Sequence, residues 1–91
     1  MSETTMQTDV MVRVRFFAAA RAAAGAEEEI VTIASGARFI DLVNLLGERN
    51  NDLSRVLERC SYLRDGVAVR DMEASLQSEE TIDVLPPFAG G

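Results

Sequence analysis

The stretch Val10-Met11-Val12-Arg13-Val14-Arg15-Phe16-Phe17, running into Ala18-Ala19-Ala20-Arg21-Ala22-Ala23-Ala24-Gly25, decides the fold. Its first half alternates with period two. Val10, Val12, Val14 and Phe16 share one face, while Met11, Arg13, Arg15 and Phe17 share the other, which predicts a half-buried strand. The second half is alanine with a single arginine, a composition that favours a short helix. Gly25 is placed to end that helix, because glycine tolerates the left-handed conformation of a helix C-terminus.

Working outward, Glu27 to Ile33 reads as a second strand, with Ile30, Val31 and Ile33 apolar and Thr32 β-branched. Ser35-Gly36 breaks the chain and offers a cap to the next element. From Ala37 to Arg49, residues Phe39, Leu42, Val43 and Leu46 follow the i, i+3, i+4, i+7 spacing of the main amphipathic helix. Asn50-Asn51-Asp52 stops it, with Asp52 the expected N-cap of a shorter helix. That helix carries the stripe Leu53, Val56, Leu57, Cys60. A free cysteine on such a stripe reads as a small buried hydrophobe. Asp65-Gly66 between Tyr62-Leu63-Arg64 and Val67-Ala68-Val69 signals a hairpin. Residues 71–80 read as loop with Leu76 an inward anchor, and Thr81 to Leu85 as a last strand stopped by Pro86-Pro87. This order predicts an α+β class: a mixed sheet with one long helix packed on one face and a short extra helix after the first strand. The expected architecture is a roll of the ubiquitin-like, β-grasp kind.

Ninety-one residues hold one core. The expected organisation is a flexible N-terminal tail over 1–9, the folded domain over 10–85, and an extended tail over 86–91. Hydrophobic residues at 47% and charged residues at 26% are ordinary for a soluble globular domain. What is missing narrows function further. The chain has no His, no Trp and no Lys, and its nine basic residues are all Arg. The commonest general base and metal ligand is therefore absent, and so is a Schiff-base amine. One Cys excludes an internal disulfide or a cysteine-cluster zinc site, so no metal site is expected. A net charge of −6 argues against nucleic acid and against an anionic membrane surface, and suits a partner with a basic docking face or simply solubility. No apolar run approaches the ~20 residues of a spanning helix, and no signal-peptide pattern opens the chain, so cytoplasm is the default location.

The chemistry concentrates at the end. Phe88-Ala89-Gly90-Gly91 follows the two prolines, which stiffen the exit. Residues 86–91 can reach about 20 Å, and Gly-Gly has no side chains to obstruct a narrow tunnel. The terminal carboxylate is ionised at neutral pH. It is suited to attack the α-phosphate of ATP and become an acyl-adenylate, open to a sulfur nucleophile. The chain has no phosphate-binding loop and no lysine to complete one, so ATP is expected to be bound by an activating partner and not by this chain.

Two segments carry a family resemblance. Phe16-Phe17-Ala18-Ala19-Ala20-Arg21-Ala22-Ala23-Ala24-Gly25 resembles the F-F-A-x-x-R-x-x-x-G segment of the small subunit of molybdopterin synthase. Leu85-Pro86-Pro87-Phe88-Ala89-Gly90-Gly91 is similar to that family's P-P-V-A-G-G end, with Phe88 where Val is common. The resemblance spans about residues 10–91. One departure is Glu79-Glu80, where the family often has a Gly-Asp turn. The resemblance implies a sulfur carrier, not an enzyme by itself. Its terminal glycine is adenylated by an E1-like activating enzyme and converted to a thiocarboxylate with a sulfurtransferase as donor. It then delivers sulfur to a pyranopterin precursor within the large synthase subunit. Gly91 would bear the sulfur and Gly90 would thread the channel. Phe17, Arg21, Leu85, Pro86, Pro87, Phe88 and Ala89 would meet partners. Phe17 packing under the short helix and Arg21 as a solvated charge stay open beside those roles. So do other functions: a carrier for cysteine or thiamine synthesis, a ubiquitin-like protein modifier, or a plain binding domain.

Overall fold

A computed structural model describes residues 9–87. The expected N-terminal tail over residues 1–8, and residues 88–91 of the expected C-terminal tail, lie outside the described residues. The elements are β1 (Asp9–Phe16), α1 (Ala18–Ala24), β2 (Glu28–Ala34), α2 (Phe39–Glu48), α3 (Asn51–Leu57), β3 (Ser61–Arg64), β4 (Val67–Ala68) and β5 (Thr81–Leu85). They form a five-stranded mixed sheet of order β2-β1-β5-β3-β4. β1 and β5 are parallel neighbours, Arg13 opposite Thr81 and Phe16 opposite Val84. The other pairings are antiparallel. This is the α+β β-grasp arrangement expected from the element order.

The alternation in β1 does what a period of two requires. Val12, Val14 and Phe16 are buried, while Met11, Arg13 and Arg15 face solvent on the other side. Phe39, Leu42 and Leu46 of α2 and Leu53 and Leu57 of α3 close the core over that inward face. They meet Val31, Tyr62, Ile82 and Val84 of the sheet, and Leu76 comes in from the loop as expected. Burying a side chain of this size contributes about 1.5–3 kcal/mol. The Tyr62 ring meets Phe39 edge-on at 5.4 Å, and its hydroxyl donates to the Leu57 carbonyl at 3.1 Å.

The turns follow local chemistry, with three corrections. Gly25 takes φ 77° at the end of α1, and Asp65 and Gly66 take φ 49° and 85° in the β3–β4 hairpin. Both were expected. The cap of α2 is not Ser35, which lies in a turn with Gly36; it is Arg38. The Asp41 carboxylate accepts the Arg38 backbone N–H at 2.8 Å, while the Arg38 side chain turns back to Asp41. A guanidinium has no acceptor for the free helix N–H groups, so the terminus is held the other way round, by the Asp41 carboxylate accepting from Arg38. The cap of α3 is Asn50 and not Asp52. Asn50 accepts from the Leu53 N–H at 3.1 Å and also donates to the Ala23 carbonyl at 2.8 Å. An amide can do both, whereas a carboxylate only accepts. Finally, Cys60 continues the apolar stripe but sits beyond the end of α3.

Candidate functional site

The site lies where β5 leaves the sheet. β5 is the central strand, held by β1 on one side and β3 on the other. Its last residue, Leu85, is half-buried opposite Ser61, Pro86 is buried, and Pro87 is exposed. Proline has no N–H to extend either ladder, so pairing stops there and the chain departs from a fixed point.

Phe17 stands at the same end of the sheet. Its N–H donates to the Val84 carbonyl at 3.2 Å, which ties it to β5. Its backbone is extended, with φ −122° and ψ 150°, before α1 begins. The side chain is half-buried and not packed into the core. It lies on the open face of the sheet, where the Arg15 guanidinium carbon stands 5.6 Å from its ring centroid. Arg15 is held in turn by Asp83. Arg15 Nε donates to Asp83 Oδ1 at 2.7 Å and Nη2 to Oδ2 at 3.0 Å. Asp83 is 7% exposed, and this fork satisfies both its oxygens. The paired carboxylate raises the already high pKa of Arg15, so the charge facing Phe17 is permanent.

Arg21 is exposed, and its Nη2 reaches Glu27 at 2.7 Å. The fold thus brings Phe17, Leu85, Pro86 and Pro87 to one end of the sheet, with Arg21 on the adjacent α1. Phe88, Ala89, Gly90 and Gly91 lie outside the described residues. Sequence reading missed Arg15 and Asp83. Arg15 is visible as an outward charge on β1, but its partner is 68 positions away. Only the parallel β1–β5 pairing brings the two together.

The remaining chemistry is spare. Among the described residues, no group of three or more metal-ligating side chains comes together, and no helix is long and apolar enough to cross a membrane. Cys60 is half-buried, its thiol donates to the Val56 carbonyl at 3.2 Å, and burial pushes its pKa up. It is held as a thiol, the unreactive form.

The body is a β-grasp fold whose central strand ends in two prolines. The chain belongs to the ThiS family, whose match covers residues 14–91. It is a ubiquitin-like sulfur carrier. No curated protein matches the chain by sequence. Among solved structures, a Pyrococcus furiosus chain assigned as molybdopterin converting factor, subunit 1, superposes with a TM-score of 0.79 at 25% identity, over 87% of this chain and 99% of that one. Small archaeal modifier protein 1 from Methanosarcina acetivorans superposes with 0.77 at 25% identity, over 92% and 99%. A chain of the complex of subunits 1 and 2 of molybdopterin-converting factor from Helicobacter pylori 26695 reaches 0.64 at 22% identity, over 90% and 100%. That last likeness is one of fold alone.

Proposed function

We propose that this protein carries sulfur to a pyranopterin precursor in molybdenum-cofactor synthesis, as a thiocarboxylate on Gly91. The Gly91 carboxylate attacks the α-phosphate of ATP on an adenylating partner and releases pyrophosphate. A sulfurtransferase persulfide then attacks the acyl carbon and displaces AMP, and a thiol reductant cleaves the resulting acyl disulfide to leave the thiocarboxylate. The thiocarboxylate is a soft nucleophile and needs no base from its own chain. The large synthase subunit receives the tail and supplies catalysis. The chain works in the cytoplasm, with ATP bound by the partner.

The observation that carries this reading is the strand exit. The central strand terminates at Pro86-Pro87 beside the half-buried Phe17 and Leu85, which gives the tail a fixed root and an apolar platform for a partner. The likeness to the Pyrococcus furiosus converting-factor subunit supports the pathway, and a neighbour of the same fold pairs with a second subunit in the Helicobacter pylori complex. Phe17, Leu85, Pro86 and Pro87 would form the docking platform, Arg21 its charged edge, and Phe88 and Ala89 the stem that leads Gly90-Gly91 into the partner.

A second reading has a specific observation behind it. The small archaeal modifier protein is 25% identical, the same as the converting-factor subunit. Both readings share the adenylate and part afterwards. Incubation with the adenylating enzyme, ATP and a sulfur source, followed by mass spectrometry, tests the first step. A gain of about 16 Da at the C-terminus supports the thiocarboxylate, and free acid with no adenylate would sink both readings. Complex formation with the large subunit and transfer of sulfur to the pterin then supports the cofactor role. Conjugates to lysines of other proteins, without such a complex, would favour the modifier.

A further inference from the structure

The nine arginines divide unequally. Arg13, Arg15, Arg21, Arg38, Arg49 and Arg64 each make an ion pair with a carboxylate. Among the described residues, Arg55, Arg59 and Arg70 make none. Two of those three, Arg55 and Arg59, are exposed and line one cleft of about 420 Å³ together with Pro86 and Pro87. In a chain with net charge −6, two of the three arginines that have no carboxylate partner among the described residues thus lie at the root of its tail.

Folding does not account for that placement. Arg55 sits in the last turn of α3, where a cation complements the helix dipole, but Arg59 lies beyond the helix. Glu58 also lines the cleft, yet it borders the groove on the other side of α3 as well, beside Val43 and Leu57. One carboxylate leaves the pair under-compensated.

We infer that Arg55 and Arg59 form a cationic collar that docks against acidic side chains around the opening through which an activating partner admits the tail. This rests on the proposed sulfur-carrier function and names the chemistry of the partner at that site. It reverses locally what the overall charge suggests, since an acidic protein would otherwise seek a basic face. Arginine suits the role because its planar fork pairs bidentately with carboxylates. The collar borders the tail root, so contact there would orient the tail as it enters. Complementary charge at such a rim acts mainly on encounter and is screened by salt.

The test is ATP–pyrophosphate exchange by the adenylating enzyme of the same organism, with the full chain as substrate. At about 0.05 M salt, Arg55→Glu/Arg59→Glu should raise KM roughly tenfold with kcat unchanged, and at about 0.5 M salt the gap should close to roughly twofold. Arg55→Gln/Arg59→Gln should give a smaller rise of the same kind and guards against misfolding of the reversed variant. An unpaired arginine outside the cleft provides the comparison: Arg59→Glu should raise KM more than Arg70→Glu. An unchanged KM in the double variants would overturn the collar, as would an equal rise from Arg70→Glu, while leaving the carrier function standing. No exchange with the unaltered chain would overturn both.

Discussion

Arg15 and Asp83 face each other across the parallel β1–β5 seam, joined by two hydrogen bonds of 2.7 and 3.0 Å. The pair sits on the open face of the sheet, next to the strand exit, and presents the guanidinium to Phe17. Asp83→Ala would leave Arg15 without its partner. Arg15 keeps about half its side chain in water, at 46%, while Asp83 keeps 10%, so the loss falls between surface and buried pairs, about 1–2 kcal/mol. Thermal denaturation should show a fall of several degrees, since about 1 kcal/mol corresponds to roughly 4–8 °C in a domain of this size. An unchanged midpoint would show that the fork contributes nothing net.

Glu79 marks the departure from the family's Gly-Asp turn, and the structure gives that departure a physical cost. Its φ is 68°, in the left-handed region, while its N–H donates to the Met11 carbonyl at 2.7 Å. A side chain there costs roughly 1 kcal/mol that glycine avoids. Glu79→Gly should therefore raise stability slightly, by up to about 0.6 kcal/mol once the extra freedom of the unfolded glycine is deducted. Chemical denaturation with an unchanged slope would read it directly, and a lower midpoint would contradict it. Its neighbour plays a different part. Glu80 is buried, pairs with Arg64, and accepts from the Gln77 N–H at 2.8 Å.

At the start of α2, the Arg38 guanidinium and backbone N–H hold the Asp41 carboxyl below its ordinary value. A depressed pKa in the folded state contributes stability that is present above the unfolded value, near 3.9, and lost as pH falls through the folded value. The difference in stability between the unaltered chain and Asp41→Asn should be constant near neutrality and shrink below about pH 4. Urea denaturation at a series of acid pH values would show it. A difference that persists undiminished at about pH 2 would mean that Asp41 acts only by shape.

Cys60 should behave as a spectator. Burial raises its pKa, and the thiol is engaged with the Val56 carbonyl. At about pH 8 its alkylation in the folded protein should be at least about tenfold slower than in denaturant. Cys60→Ala should retain thiocarboxylate formation at Gly91. Loss of sulfur loading in that variant, with the fold intact, would give the thiol a role in transfer.

The hydrophobic half of the fold was legible because it is local. The period of two in Val10–Phe16 and the spacing of Phe39, Leu42 and Leu46 both appear as burial. Gly25 and Asp65-Gly66 sit at positive φ as their types predict. Caps were harder. Asn50 displaced Asp52 because a contact with Ala23, distant in sequence, rewards an amide's donor. The strand exit at Pro86-Pro87 could be read from residue type alone, since a missing N–H ends a ladder in any context.

What residue order alone determined, then, was the set of elements, the inward faces and the place where the last strand stops. Each follows from short-range sterics and from the period with which side chains meet one face. Tertiary structure alone decided which charges meet. Arg15 finds Asp83 only because β1 and β5 run parallel, and Arg55 and Arg59 come to flank the tail root only because α3 packs beside Pro86 and Pro87. Charges carry no periodicity that announces a partner. Their pairing is set by the register of strands far apart in the chain, and so is the pattern of those left unpaired.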